Sequence, residues 1–335
     1  MAFYENLHLE KGMYGTGKSF SQVLEAMDNS DAYRGTPLEG LDAYQRQLKR
    51  FDIHVNGRGS DRVEKFFQTG DSAALFPEYI CRAVRQGMEQ ENVLPNLVAT
   101  TTQVEGMDYR TITSAPLEDD KKLKMVAEGA EIPQTVVRTQ DHLVKLHKRG
   151  RMLVASYEAI RFQHLDLFTV TLRQIGAYIA RAQMGDAVQV LLNGDDGTDK
   201  AESIFASGAL SYQNLLQMWG KLAPYRMDCL LGGTAAIQNI LALPEMRDAQ
   251  AGLNFQGTGK LVAPMGAQLL HIPDVPDGKL IGIDHTCALE MVQAGNVQTE
   301  YDKLIDRQLE RATISTIAGF TKIFSGAVKV LDYTA

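Results

Sequence analysis

The sequence predicts an α+β fold organised around one very long helix, and three observations lead there. Leu165, Phe168, Leu172, Ile175, Ile179 and Ala182 recur at spacings of three and four, the apolar stripe of an amphipathic helix. Ahead of that stripe, residues 111–154 hold two β-prone, charged limbs around a turn. Behind it, residues 204–300 mix short strands and helices punctuated by Pro and Gly. The strict βαβ alternation of a doubly wound sheet is missing.

The first 75 residues are polar and turn-rich. Helices are expected at Ser19 to Met27, with Phe20, Val23, Leu24 and Met27 on one face, and at Asp42 to Phe51. Asn29-Ser30-Asp31 and Gly35-Thr36-Pro37 read as turns. Large apolar residues are too sparse here for a core of its own, which suggests an arm wrapped around something else. A helix follows from Pro77 to Gln90, then a β-prone stretch from Leu97 to Val104.

Residues 111–154 read as a long exposed hairpin. The first limb carries Glu118, Asp119 and Asp120, then Lys121, Lys122 and Lys124; the turn is Glu128-Gly129-Ala130-Glu131-Ile132-Pro133. The second limb carries Arg138, Lys145, Lys148, Arg149 and Arg151 against Asp141 alone. These charges either pair across the hairpin or dock on a neighbouring copy; Lys124, Glu128 and Glu131 join them as candidate interface residues. An exposed hairpin of this length gains stability from a partner.

The long helix should run from Tyr157 to Leu192, capped by Ser156 with Glu158 in its first turn and stopped at Asn193-Gly194. Its 36 residues would span about 54 Å, with bends expected at Gly176 and Gly185. Beyond it, helices are predicted at Tyr212 to Leu222 and Thr234 to Leu243. Strands are predicted at Cys229 to Leu231, Lys260 to Ala263, Gln268 to Ile272 and Lys279 to Ile283. The chain closes with an amphipathic stretch from Thr299 and a β-prone end at Ala327 to Leu331.

Composition excludes several function classes. A net charge of −7, from 34 basic and 41 acidic residues, argues against tight nucleic-acid binding, which needs clustered cations to displace phosphate counterions. It favours solubility at high concentration. Cys81, Cys229 and Cys287 lie far apart, the pattern of a reducing compartment without a disulfide framework. The opening residues lack the basic and apolar regions of a signal peptide, and no apolar run is long enough to span a membrane. A protein made in the cytosol is expected.

Chemical motifs are few. Gly12-Met13-Tyr14-Gly15-Thr16-Gly17-Lys18-Ser19 fits the phosphate-loop pattern GxxxxGK[ST]. The residues before it, Phe3 to Lys11, carry too many polar side chains for the buried parallel strand such a loop requires. A glycine-rich loop is the stronger reading and a nucleotide-binding protein the remote one. Asp195-Asp196-Gly197-Thr198-Asp199 lacks the spacing of a calcium loop. His285 and Cys287 have nothing nearby in sequence to complete a tetrahedral set, so no metal, cofactor or catalytic residue is predicted.

Taken in order, these segments resemble the major capsid proteins of tailed bacteriophages, whose fold is known from the Hong Kong 97 phage. Val126 to Pro133 is similar to the family's extended E-loop segment, Leu153-Val154-Ala155-Ser156 to the approach to its spine helix, and Leu192 to Thr198 to the turn closing that helix. Gly319 to Leu331 resembles the last part of the peripheral domain, and the likeness covers residues 75–335. It implies an N-terminal arm or scaffold-like extension at 1–75, the start of the peripheral domain at 76–110 and the E-loop at 111–154. The spine helix would then occupy 155–203, the axial domain 204–300 and the end of the peripheral domain 301–335.

The function implied is a non-enzymatic shell subunit that assembles with itself into pentamers and hexamers, forming an icosahedral virion head around DNA. Assembly would take place in the host cytoplasm. Portal, scaffold or decoration proteins are further partners in such systems; no membrane is involved. Some relatives cross-link through a Lys in the E-loop turn; Gly129 stands there, so no such bond is expected. An encapsulin-like nanocompartment of the same fold is the alternative.

Overall fold

The computed structural model describes residues 3–15, 19–90, 92–113, 125–126, 128, 138–140, 142–156, 158, 162–195, 197, 199–247, 266–295 and 297–333. The chain divides into two compact units. The first holds residues 1–92, 148–181 and 296–316; the second holds 93–147, 182–295 and 317–335.

In the first unit the polar N-terminal region folds into short helices, α1 (Phe20–Met27), α2 (Ala43–Arg50) and α3 (Gly70–Ala73). Ser19 and Asp42 cap α1 and α2 through reciprocal bonds with Gln22 and Gln45, so two orphan amides at each helix start are satisfied. The expected arm is corrected here. Phe20, Leu24, Tyr44, Leu48 and Phe66 are buried in one core with α4 (Phe76–Gln90) and with Leu165 and Leu172. No window of residues 1–75 supplies this core alone; it closes only against helices contributed by later sequence.

A buried Arg46 ties the region together. Its Nε donates to the Asp28 carboxylate at 2.7 Å, its Nη1 donates to the Leu41 carbonyl and Ser30, its Nη2 donates to the Asp28 carbonyl, and its guanidinium lies 4.2 Å from the Tyr33 ring centroid. Removing one partner of such a pair leaves an uncompensated buried charge.

The long helix, α5, is Leu165–Asn193, 29 residues and about 43 Å. It begins eight residues later than the sequence suggests, and Ser156 is the last residue of the strand His147–Ser156. The cause lies far away in sequence. The Val63 amide donates to the Gln163 carbonyl, the Leu165 amide donates to the Asp61 carbonyl, and Arg62 bridges His164, committing this backbone to an extended pairing. The stop at Gly194 is as expected, in the left-handed conformation at φ +80°.

Gly176 has a different purpose from the bend expected of it. A Cβ there would lie 2.0 Å from the Val84 carbonyl oxygen, and one on Gly87 would lie 2.0 Å from that of Arg173. Two glycines thus face opposite backbones, and α4 and α5 approach more closely than any side chain permits. Tyr79 reinforces the crossing by donating to the Leu165 carbonyl at 2.7 Å; burial pushes its phenol up to about 12.

β4 (His147–Ser156) pairs with β11 (Leu309–Lys322), and β10 (Gln298–Leu304) pairs antiparallel with β11, Tyr301 opposite Ala312. The amphipathic stretch after residue 299 is therefore a β-hairpin. Burial alternates with a period of two over residues 311–318 of β11, as one buried sheet face requires, and residues 318–322 are all buried.

The second unit centres on a sheet in the order β5 (Glu202–Phe205), β12 (Val328–Asp332), β8 (Lys279–Ile283), β6 (Cys229–Gly232), β7 (Gln268–His271). Alternate residues feed opposite faces. Leu230 and Leu280 pack with helices α6 (Tyr212–Leu222) and α7 (Thr234–Ala242), while Leu231 and Ile281 pack with Val188 and Leu191 of α5. Burial on both faces explains the unbroken apolar runs. The strand expected at 260–263 lies outside the described residues.

The glycine crossing yields a test. Gly176→Ala should destabilise the chain by about 1–3 kcal/mol or more, because the added methyl meets backbone. Gly185→Ala, which meets only the Asp274 carboxylate at 3.4 Å, should be neutral or stabilising by up to about 1 kcal/mol from helix propensity. Denaturant unfolding of both variants measures this, and equal midpoints would contradict it.

Candidate assembly surface

The hairpin predicted at 111–154 is anchored in the second unit. β2 (Ile112–Thr113) pairs antiparallel with β3 (Arg138–Thr139), and the pairing continues as the Gln140 amide donates to the Thr111 carbonyl and the Val144 amide to that of Tyr109, both at 2.9 Å. The second limb does not continue as one ribbon. From His147 it becomes β4 and pairs with β11 instead of the first limb. The expected single hairpin through residue 154 is corrected accordingly.

One buried carboxylate holds the hairpin base. Glu290, on β9 (Leu289–Ala294), accepts from Thr102 at 2.5 Å and Tyr109 at 2.8 Å with one oxygen, and from Thr111 with the other. Thr102 arrives through β1 (Thr100–Val104), which pairs parallel with β9 and places it opposite Val292. Burial and this carboxylate push the Tyr109 phenol up. Sequence reading passed over Glu290, although a lone acid in the run Leu289-Glu290-Met291-Val292 signals a buried, partnered carboxylate.

Two further contacts fix the second limb. His142 Nε2 lies 2.9 Å from an Asp195 oxygen in the turn closing α5. Gly319 on β11 brings its Cα against the Lys145 backbone, where a Cβ would come within 2.3 Å of the carbonyl oxygen. The turn and the limb, matched separately in the sequence, are thus in contact. Lys322, buried at the end of β11, donates to the Asp199 carbonyl at 2.5 Å, and its desolvation lowers the amine below the usual lysine range.

The sequence-predicted interface residues separate into groups. Lys124 and Glu131 lie outside the described residues. Glu128 is exposed in a turn, Arg138 stands on β3 opposite Thr113, and Lys145 is exposed. Lys148, Arg149 and Arg151 lie on β4, in the first unit. Arg151 is engaged within its own unit, its guanidinium 5.5 Å from the Tyr178 ring centroid on α5.

β4 has two unlike faces. Leu153 and Ala155 pack on the first core. Met152 and Val154 point outward, each 51% exposed. With Lys148 and Arg151 from β4, Glu300 from β10, and Thr313 and Ser315 from β11, Met152 lines a concavity of about 400 Å³. On α5, Leu167, Val170 and Tyr178 are also exposed. Exposed apolar patches on regular elements are candidates for an interaction surface. The sequence charges locate the ribbon, but these apolar residues were missed because the stripe on α5 faces the core.

Residues 139–299 match the family model for phage capsid protein, and no curated protein matches the chain. Among solved structures, the capsid of a native GTA particle is similar at TM-score 0.52 and 16% identity, over 75% of this chain and 91% of that one. A virus-like particle from Pyrococcus furiosus is similar at 0.51 and 11%, over 76% and 98%. A structure from Microbacterium phage Oxtober96 is similar at 0.51 and 10%, over 72% and 91%. Likeness at such identities is likeness of fold, and the fold is that of a Hong Kong 97-like capsid subunit. The family match spans the second hairpin limb, α5 and much of the sheet unit, so over residues 139–299 the chain is similar to phage capsid protein, in agreement with the fold.

The carboxylate at the hairpin base gives a second test. Glu290→Ala strips three hydroxyls, that of the buried Thr111 among them, of their acceptor and should cost at least about 2 kcal/mol. Proteolysis or hydrogen exchange should show residues 109–113 and 138–144 opening first. Unchanged protection there would refute the anchoring role.

Proposed function

We propose that this subunit assembles with copies of itself as pentamers and hexamers into a closed icosahedral shell around DNA, during growth in the host cytoplasm. The role is structural rather than catalytic. One observation carries the reading: exposed apolar side chains stand on rigid elements, Met152 and Val154 on β4 and Leu167 and Val170 on α5. Heterologous contacts between unlike patches on successive copies close into rings when the rotation permits. The similar structures are described as a capsid and as a virus-like particle, which supports self-assembly.

In this reading residues 111–154 serve as the E-loop, 155–203 as the spine, 204–300 as the axial domain, and 76–110 with 301–335 as the peripheral domain. The E-loop charges, Lys124, Glu128, Glu131, Arg138, Lys145, Lys148 and Arg149, would meet opposite charges on the next copy. Arg151 would contribute through Tyr178, orienting β4. Portal, scaffold or decoration proteins would meet the finished shell. Among the described residues no helix is long and apolar enough to cross a membrane.

Velocity sedimentation of the purified chain at high concentration is expected to show capsomers or closed particles. A chain that stays monomeric throughout would refute the proposal. Reversing charge at Lys145 and Arg149 together should cut particle yield while leaving the unfolding midpoint of the free subunit within about 0.5 kcal/mol, as surface substitutions do. Undiminished yield would remove these residues from the interface.

A further inference from the structure

The sequence pairs His285 with Cys287 and finds no neighbours to complete a metal site. The fold supplies them from 57 residues away. In the antiparallel pairing of β6 with β8, Cys229 stands opposite Ile283, so Asp228 and Cys229 face the turn that begins at Asp284. The Asp228 amide donates to the Ile283 carbonyl at 3.2 Å and its carbonyl accepts from Gln268 at 2.7 Å. The ligand-bearing backbone is therefore held by the sheet.

Among the described residues, an Asp228 oxygen, the Cys229 sulfur and a His285 ring nitrogen lie within 4.8 Å of one another. Zinc bonds of about 2.0–2.3 Å in tetrahedral geometry spread donors to within about 4 Å of each other, so modest side-chain rotation brings these three to one ion. Cys229 is buried, while the His285 side chain is 40% exposed, leaving a mouth through which an ion enters. Cys287 stands beside the cluster with its sulfur 3.9 Å from the Asp284 carbonyl.

The electrostatics are lopsided. Asp228 and Asp284 sit together, and among the described residues neither is ion-paired with Lys or Arg. Asp284 accepts from the Arg226 and Thr286 amides, and Asp228 from the His285 amide and ring. Burial and these carboxylates push the Cys229 thiol up to about 12 and the Cys287 thiol to about 11. Two carboxylates, with a thiol that becomes a thiolate on metallation, make a set that a divalent ion neutralises, and sulfur with imidazole selects the zinc class over magnesium or calcium.

We propose that Asp228, Cys229 and His285 form a zinc-class cation site that ties the start of β6 to the turn after β8. Binding converts the Cys229 thiol to thiolate and releases one proton to solvent. The ion replaces the hydrogen bond between Asp228 and His285, and water takes the fourth position.

The test equilibrates the purified full-length chain with excess Zn²⁺ and counts retained metal after gel filtration; Co²⁺ replaces Zn²⁺ for spectroscopy. About one ion per chain is expected, with a thiolate-to-cobalt charge-transfer band, at the three-ligand stoichiometry of such sites. Cys229→Ser should abolish the band, His285→Gln should weaken binding by at least about tenfold, and Cys81→Ser, in the other unit, should change nothing. Only trace zinc in the wild type, or undiminished binding in Cys229→Ser, overturns the proposal. Should Cys229→Ser fail to fold, the half-exposed His285→Gln decides, and wild-type affinity there overturns it equally.

Discussion

The approach of α4 to α5, where Gly87 and Gly176 each face the other helix's backbone, is the constraint on which the first unit depends. A helix pair without side chains at its crossing sits closer than ordinary ridge-and-groove packing allows. Phe66, Phe76, Tyr79 and Leu172 share the buried core around these helices. β4 lies on that core. With Leu153 and Ala155 held against the core, period-two geometry points Met152 and Val154 outward. The exposed apolar face is therefore a consequence of the packed one.

A shell subunit needs stiff elements that keep their geometry while soft contacts form and dissolve around them. α5 and β11 are the long regular elements here, of 29 and 14 residues. The hairpin base is pinned by Glu290, His142 and the Gly319 contact, so a force applied along the hairpin reaches rigid structure. Each surface contact can then be weak. Hundreds of weak heterologous contacts close a shell cooperatively and still permit correction during growth.

Local chemistry was legible and long-range chemistry was not. The helices capped by Ser19, Asp42 and Ser211 were foreseen, because the patterns that form them act within a few residues. Leu280 to Ile283 announced a buried strand because both its neighbours cover it. The N-terminal region was misread because its core partners lie on α4 and α5, outside any window of its own. The helix start was misplaced because residues 61–63 capture the backbone at 163–165. For the interface, charge marked the ribbon, yet its second limb was assigned the wrong partner, since only β11 decides where β4 pairs. Asp228 and Cys229 met His285 through sheet register, which sequence spacing does not reveal.

The account stands on the claim that the outward faces of β4 and α5 are completed by other copies of the chain. A reconstruction of assembled particles by electron cryomicroscopy tests it most directly. The account predicts Met152, Val154, Leu167 and Val170 buried between neighbouring subunits. Particles in which these four side chains stay open to solvent, with copies joined elsewhere, would contradict it.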